Sequence, residues 1–215
     1  YLRMPPFQPG GVDAPAFRRE CISDFCKVHP DQRITVVTPM KSYLTHLECT
    51  SCGNSYSAEE VHSTCVACGK VLYDLERARK DLDKGWFLSR PPTMWRYFEL
   101  MPLRDPEHVV SLGEGMTPLL RAKNLEKQLG CSRLLIKEEG VNPTGSFKAR
   151  GLSAAVSKAR ELGQKRLTLP SAGNAAGALA AYCARGSMEA HVFMPRDAPQ
   201  ANIKECLICG AHLTL

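Results

Sequence analysis

The sequence predicts an α/β protein in which an open parallel sheet follows a small module built around cysteines. Two observations support this prediction: strands alternate with helices from residue 133 onward, and two Cys-x-x-Cys pairs stand between residues 49 and 68. No apolar run approaches the roughly 18 residues that a membrane span requires, and no signal segment is evident. A cytoplasmic protein without membrane contact is therefore expected.

The alternating pattern of the second half indicates βαβ units. We predict strands at 133–137, 166–169, 189–194 and 212–215, and helices at 147–162, 174–185 and 199–209. Gly163, Gly186 and Gly210 follow the three helices, as expected for helix ends. Strands that alternate with helices of this length favour crossover connections and a parallel sheet.

Two finer expectations concern packing. The strand at 133–137 (RLLIK) is expected to be buried. The first helix is expected to bury one face, formed at helical spacing by Leu152, Ala155, Val156 and Ala159.

The chain divides into four predicted parts. They are an N-terminal arm (1–42), a cysteine module (43–75), a connector (76–112) that includes a helical stretch at 76–84, and a catalytic core (113–215). Because the chain stops inside its last predicted strand, we expect it to be a fragment with a truncated core, inactive by itself.

The paired Cys-x-x-Cys motifs indicate a metal site. Cys49 and Cys52 are separated from Cys65 and Cys68 by twelve residues, and a glycine follows each pair. Four thiolates close the tetrahedral shell of Zn²⁺ and leave no open position, which is typical of a structural zinc ribbon. Free thiols or a redox pair are the alternative.

Charge argues against nucleic acid as the partner. The net charge is +6, but the residues between Cys49 and Cys68 include two glutamates and no lysine or arginine. A surface that binds phosphates requires the opposite sign. Another pair, Cys206 and Cys209, falls near the end of a predicted helix and is interpreted as structural, because redox pairs favour helix N-termini.

Lys148 lies in the first turn of a predicted helix, after the loop Asn-Pro-Thr-Gly-Ser-Phe at 142–147. A lysine that forms a Schiff base must lose its proton, and burial near a helix N-terminus favours this loss. An ordinary surface lysine is the alternative.

A second loop, Ser-Ala-Gly-Asn-Ala-Ala-Gly at 171–177, joins a predicted strand to a helix. Ligands of open α/β sheets bind beyond the carboxyl ends of strands, and N–H groups at a helix start favour an anion. A tight turn without a ligand is the alternative.

These segments together resemble the fold-type II pyridoxal-phosphate enzymes, and among them the threonine synthases. The resemblance runs from about residue 47 to the last residue and includes the ribbon, MWRY (94–97), LGEGMTPL (112–119), 142–151 and 171–182. Ala149 departs from the pattern, since threonine synthases commonly carry aspartate after the lysine and some dehydratases carry alanine.

The resemblance implies roles for individual residues. Lys148 is expected to hold pyridoxal 5′-phosphate covalently and to move protons on the substrate. Asn174 would bind the 3′ oxygen of the cofactor, and Phe147 would pack beside it. The resemblance also implies a pocket for the substrate carboxylate, which would be lined by Ser171, Ala172, Gly173 and Ala175.

The implied reaction converts O-phospho-L-homoserine and water into L-threonine and phosphate, so the expected partner is a small amino-acid phosphoester. A homodimer is expected of the full-length protein. In the family, the glycine-rich phosphate loop and the partner of the pyridine nitrogen lie beyond residue 215. The alternatives are a related enzyme, such as a cysteate synthase or a serine/threonine dehydratase, and a non-catalytic zinc-ribbon fragment that binds a partner.

Overall fold

A computed structural model describes residue 40, residues 42–70 and residues 84–215. The predicted N-terminal arm and the predicted helix at 76–84 lie almost entirely outside the described residues. The described strands are β1 (His46–Glu48), β2 (Ser55–Ser57), β3 (Leu119–Arg121), β4 (Leu135–Lys137), β5 (Arg166–Pro170), β6 (Glu189–Phe193) and β7 (His212–Thr214). The described α-helices are α1 (Lys123–Leu129), α2 (Lys148–Glu161), α3 (Asn174–Arg185) and α4 (Gln200–Ile208).

Strands β5, β6 and β7 form the predicted parallel sheet. They are hydrogen-bonded in that order, with Leu167 opposite Ala190 and Val192 opposite Leu213. Ala190 and Val192 are buried in the main core, whereas Glu189 and Phe193 on the other face of β6 are exposed. The predicted fold class, α/β with an open parallel sheet, is confirmed.

The predicted helices are confirmed to within two residues at each end. Helix α3 begins at Asn174 and ends at Arg185, as predicted, and Gly186 caps its C-terminus. Helix α2 ends at Glu161, and Gly163 follows with a φ of 71°. Helix α3 packs on α2, α4 and β6, so its small side chains fill the centre of the core.

The predicted buried strand at 133–137 is wrong in both length and environment. Only Leu135–Lys137 is extended, and it pairs antiparallel with β3 instead of joining the parallel sheet. Leu135 and Ile136 remain 40% and 44% exposed. A short apolar run resembles a buried strand, but in the described residues β3 and β4 form a separate two-stranded sheet.

The buried face of α2 also differs from the prediction. Val156 is buried, whereas Ala155 is exposed. Two serines take part in the buried face: Ser157 accepts a hydrogen bond from Val110 N at 2.8 Å, and Ser153 joins the network described below. Polar residues can occupy this face because each has a hydrogen-bond partner.

The MWRY segment forms a 3₁₀ helix, Met94–Leu100, that packs into a second apolar cluster. Gly115 lies directly against it: a Cβ at Gly115 would come within 2.4 Å of Met94 N. The two motifs are therefore joined backbone to backbone, and Met94 N donates to Glu114 O at 2.8 Å. The predicted boundary between connector and core stays a prediction.

Among the described helices, none is long and apolar enough to cross a membrane.

Candidate functional site

Lys148 stands at the start of α2, where the preceding loop turns sharply. Thr144 and Gly145 both adopt positive φ angles, 63° and 64°, and Lys148 N donates to Ser146 Oγ at 3.3 Å. The ammonium lies 4.7 Å from the centre of the Phe147 ring, which is itself 58% exposed. Lys148 is thus partly buried, against the expectation of a deeply buried amine, and one side of Phe147 remains open to a ligand.

Asn142 anchors the other end of this loop. Its side chain is buried and donates to Glu139 O at 3.0 Å and to Glu139 Oε2 at 2.9 Å. Arg150 donates to both oxygens of the same carboxylate, at 2.6 and 2.8 Å, and Thr117 Oγ1 donates at 2.6 Å. These contacts, led by Arg150, lower the pKa of Glu139 from the usual 4.5 to about 2. A charged cluster thereby fixes the loop that carries Lys148.

The second predicted segment forms the turn between β5 and α3. Ser171 N donates to Phe193 O at 3.0 Å, and Gly173 N donates to Ser171 Oγ at 3.3 Å. Helix α3 then begins at Asn174, which is exposed, without a hydrogen bond from a capping side chain. An uncapped helix N-terminus offers N–H donors and a positive dipole to an anion.

The structure brings the two segments together. The turn Pro143–Gly145 contacts α3, and α2 packs along α3. The loop before Lys148 and the helix that begins at Asn174 are therefore in contact. Together these two segments carry an amine, an amide and the N–H groups of an uncapped helix start, which are the kinds of donor that a cofactor and a carboxylate require.

Asn202 is a residue of this site that the sequence gave no reason to select. It lies on α4, and its Nδ2 donates to Ala172 O at 2.6 Å. The Ala172 carbonyl and the Gly173 N–H belong to the same planar peptide unit, so this bond also fixes the direction of the Gly173 N–H. Thirty residues separate the two positions, and no local pattern reports a contact over that distance.

Glu114 is the most deeply buried charge near the site, with 0% exposure. Oε1 accepts from Trp95 Nε1 at 2.8 Å and from Ser153 Oγ at 2.6 Å. Oε2 accepts from Tyr182 Oη at 2.6 Å and from Leu112 N at 3.0 Å. Burial raises the pKa of Glu114, but these hydrogen bonds outweigh it and hold the pKa below its usual range. The carboxylate therefore ties the connector, α2 and α3 into one unit.

The four cysteines of the predicted ribbon converge in space. Their Sγ atoms all lie within 4.8 Å of one another, and three contacts measure 3.4, 3.6 and 3.6 Å. A tetrahedral Zn²⁺ with Zn–S bonds of about 2.3 Å requires separations of roughly 3.8 Å. The donor set and its spacing therefore fit zinc.

Matching backbone turns carry the two cysteine pairs. Cys49 N donates to Asn54 O at 2.9 Å, and Cys65 N donates to Lys70 O at 2.8 Å. The glycine inside each turn has nearly the same φ angle, 72° at Gly53 and 70° at Gly69. Few residues other than glycine adopt this conformation readily, which explains the glycine after each pair.

Tyr56 completes the cysteine cluster, and sequence reasoning had not selected it. Its hydroxyl lies 3.1 Å from Cys65 Sγ and accepts a hydrogen bond from Val66 N at 3.2 Å. The hydrogen bond from Tyr56 lowers the pKa of Cys65 to about 6. A thiolate is the form that binds a metal, so Tyr56 favours the binding state.

Comparison with known proteins places this neighbourhood in a family. The family model described as pyridoxal-phosphate dependent enzyme matches residues 110–215. Residues 110–215 belong to the pyridoxal-phosphate-dependent enzymes. This pyridoxal-phosphate-dependent domain contains Lys148, the turn at 171–175 and Asn202.

Two curated relatives extend the likeness beyond that domain. The threonine synthase of Methanocaldococcus jannaschii is 42% identical over 149 residues, which cover 68% of this chain and 37% of that protein. The threonine synthase of Methanosarcina acetivorans is 40% identical over 173 residues, covering 78% of this chain and 42% of that protein. The chain thus spans about two fifths of the length of these relatives. The resemblance to threonine synthases is confirmed.

Among solved structures, the processed form of threonine deaminase isoform 2 from Solanum lycopersicum is 33% identical, with a TM-score of 0.42. The match covers 46% of this chain and 27% of that chain.

Proposed function

We propose that this chain provides the lysine-bearing part of a threonine synthase, which converts O-phospho-L-homoserine and water into L-threonine and phosphate. The observation that carries the proposal is the contact of the turn Pro143–Gly145, in the loop before Lys148, with helix α3, in a domain of the pyridoxal-phosphate family. The identity with two curated threonine synthases supports the choice of substrate.

Each part of the site has a distinct task in this proposal. Lys148 holds the cofactor and moves protons at the substrate Cα and beyond. The Asn174 amide donates to the cofactor's 3′ oxygen and fixes the tilt of the ring, while Phe147 packs beside it. When bound, pyridoxal phosphate supplies an electron sink that stabilises negative charge at Cα and Cβ.

The turn at the start of α3 receives the substrate. Ser171 Oγ and the N–H of Gly173 bind the substrate carboxylate, exchanging their mutual hydrogen bond for contacts with it. Ala172 and Ala175 leave room for the carboxylate to approach the backbone. With the amino acid held there, phosphate leaves from Cγ and water adds at Cβ.

Ala149 bears on packing more than on substrate choice. The sequence alone suggested that alanine here, in place of aspartate, affects the substrate. The side chain is fully buried in the main apolar cluster. The side chain of Ala149 therefore points into the protein interior. We infer the substrate from the turn at 171–175 instead.

The lysine is tested first, in the full-length natural protein. Borohydride reduction with pyridoxal phosphate, followed by peptide mass spectrometry, should place the label on Lys148. Lys148→Ala should lose the label, whereas Lys204→Ala, which removes an exposed lysine on α4, should keep it. A label on another lysine contradicts the proposal at its first step.

The substrate is tested separately, with the wild-type protein supplied with pyridoxal phosphate and not treated with borohydride. Release of phosphate from O-phospho-L-homoserine, with formation of threonine, is the expected result. Asn202→Ala should keep the label on Lys148 but raise KM about tenfold, because the Gly173 N–H loses its fixed direction and one hydrogen bond to a charged group is worth about 1.5–3 kcal/mol. If the protein deaminates threonine or serine and leaves the phosphoester untouched, it is a dehydratase instead.

A further inference from the structure

Three side chains that can bind metal meet on the exposed face of the parallel sheet. His191 on β6 lies opposite His212 on β7 in the strand register. Glu189 precedes His191 by two residues and so points to the same face of β6. The ligand atoms of all three residues lie within 4.8 Å of one another.

The distances between these side chains are close to those between ligands that share a bound cation. His191 Nε2 lies 3.4 Å from Glu189 Oε2, and the two imidazole rings stack with centroids 4.7 Å apart at an angle of 20°. Two ligands that share a cation at about 2.0–2.2 Å stand roughly 3–3.5 Å apart. The first pair already meets this spacing, and a rotation of the half-exposed His212 side chain brings in the third ligand without moving either strand.

Arg166 forms an ion pair with Glu189 and therefore competes with a metal ion for the Glu189 carboxylate. It lies opposite Glu189 on β5, with Nε 2.8 Å from Oε2, and both side chains are largely exposed, at 73% and 47%. An exposed ion pair of this kind stabilises the fold only weakly, so a divalent cation can displace it.

We propose that Glu189, His191 and His212 form a second metal site, distinct from the cysteine cluster, for a divalent transition cation such as Ni²⁺ or Zn²⁺. Two imidazoles and one carboxylate favour these ions, whereas Mg²⁺ and Ca²⁺ prefer oxygen ligands alone. Three protein ligands leave a position for water, so the site is open, unlike a closed Cys₄ shell. The ion joins β6 to β7 and stabilises the folded sheet by binding it in preference to the unfolded chain.

The test uses the 215-residue chain without a histidine tag, first saturated with zinc and then dialysed to remove loosely held metal. Calorimetric titration with Ni²⁺ should show one ion bound per chain. In a parallel NMR experiment, paramagnetic Ni²⁺ should broaden the ring signals of His191 and His212 and spare those of His108, which lies near Asp105 outside the cluster.

Variants separate this site from other sources of binding. His212→Gln and Glu189→Gln should weaken Ni²⁺ binding by at least about tenfold, since each removes a ligand. Arg166→Gln should strengthen it, and the matched control His108→Gln should leave it unchanged. Cys65→Ser, which breaks the cysteine cluster, should retain Ni²⁺ at the sheet.

Two results would overturn the proposal. One is a zinc-saturated wild-type chain that binds no Ni²⁺. The other is a His212→Gln variant that binds Ni²⁺ as tightly as the wild type. Neither result depends on the enzymatic activity proposed above.

Discussion

At the scale of single residues, Glu139 is held by the densest set of charge-assisted contacts in the described part of the Lys148 loop. Arg150, Thr117 and Asn142 all donate to its carboxylate. Its pKa falls from the usual 4.5 to about 2, mainly because of Arg150. A carboxyl group whose pKa is lowered by folding stabilises the folded state above its unfolded pKa and loses that contribution as the pH falls.

We therefore predict a specific acid sensitivity. The free energy of unfolding should drop as the pH falls from about 4.5 towards 2, and Glu139→Gln should make this part of the profile flatter. Urea unfolding measured at several pH values checks the slope. Glu138→Gln is the control, because that neighbouring carboxylate is only partly buried and accepts a local hydrogen bond from Gly140 N. Equal slopes for the wild type and Glu139→Gln would contradict the assignment of the shift to this residue.

At the scale of elements, the cysteine hairpin is the part of the described chain that depends most on a ligand. Strands β1 and β2 are three residues each, and Leu47 and Tyr56 are their only partly buried central pair. So small a unit cannot bury enough apolar surface to fold alone, whereas a structural zinc supplies about 10–16 kcal/mol of binding energy.

Cys65→Ser should accordingly lose the zinc and the fold of the hairpin together. After dialysis that removes loosely held metal, including any zinc at the exposed sheet, elemental analysis should find one zinc per chain in the wild type and essentially none in the variant. Circular dichroism should show that helices α2 to α4 persist, because the main core includes none of the four cysteines. Cys131→Ser removes an exposed cysteine outside the cluster and should keep the metal. Full zinc in Cys65→Ser would show that the four thiols are not the ligands.

Sequence reasoning predicted the elements where local chemistry decides them. Helices α2 to α4 were found because their apolar spacing is regular and a glycine follows each. It failed for β4, because Leu135 and Ile136 are apolar but pair in a separate, exposed two-stranded sheet. Whether an apolar strand joins the central sheet depends on its partner, which periodicity does not report.

In the candidate site, too, local sequence identifies some residues, whereas others depend on contacts with residues elsewhere in the chain. Lys148 and the turn at 171–175 are marked by local sequence, and their recognition drew on the family resemblance. Asn202 and Tyr56 act through contacts with distant residues, so neither carries a local signal. The roles given to the individual site residues stay predictions until the labelling and kinetic tests are made.

At the scale of the whole molecule, Gly115 is the place where connector and core approach most closely in the described residues. It adopts a φ of 119°, and a Cβ there would overlap Met94 N at 2.4 Å. Gly113, two residues earlier, has a φ of 92° but open space around it. Both glycines have a positive φ, which would strain any other residue, and they differ in the room available for a side chain.

Substituting each of these two glycines by alanine distinguishes the cost of a side chain at positive φ from the cost of steric overlap. Gly113→Ala should cost about 1–2 kcal/mol of unfolding free energy, the penalty for a side chain at positive φ. Gly115→Ala should cost about 1–3 kcal/mol more, because the methyl group pushes the Met94 backbone away. Urea unfolding monitored by tryptophan fluorescence measures both, since Trp95 is buried beside the junction. Equal costs would mean that the close approach does not constrain the fold.

The network around Glu114 also has a consequence for the order of folding events. Its side-chain donors Trp95, Ser153 and Tyr182 lie 19, 39 and 68 positions away along the chain, so they assemble only after long loops have closed. We predict that the side-chain hydrogen bonds of this network form after the folding transition state, because the loops must close first. Weakening the network, for example by Tyr182→Phe, should therefore speed unfolding and leave the refolding rate nearly unchanged. The hydrogen bonds to the buried Glu114 carboxylate are thus expected to form last during folding and to slow the unfolding of the protein.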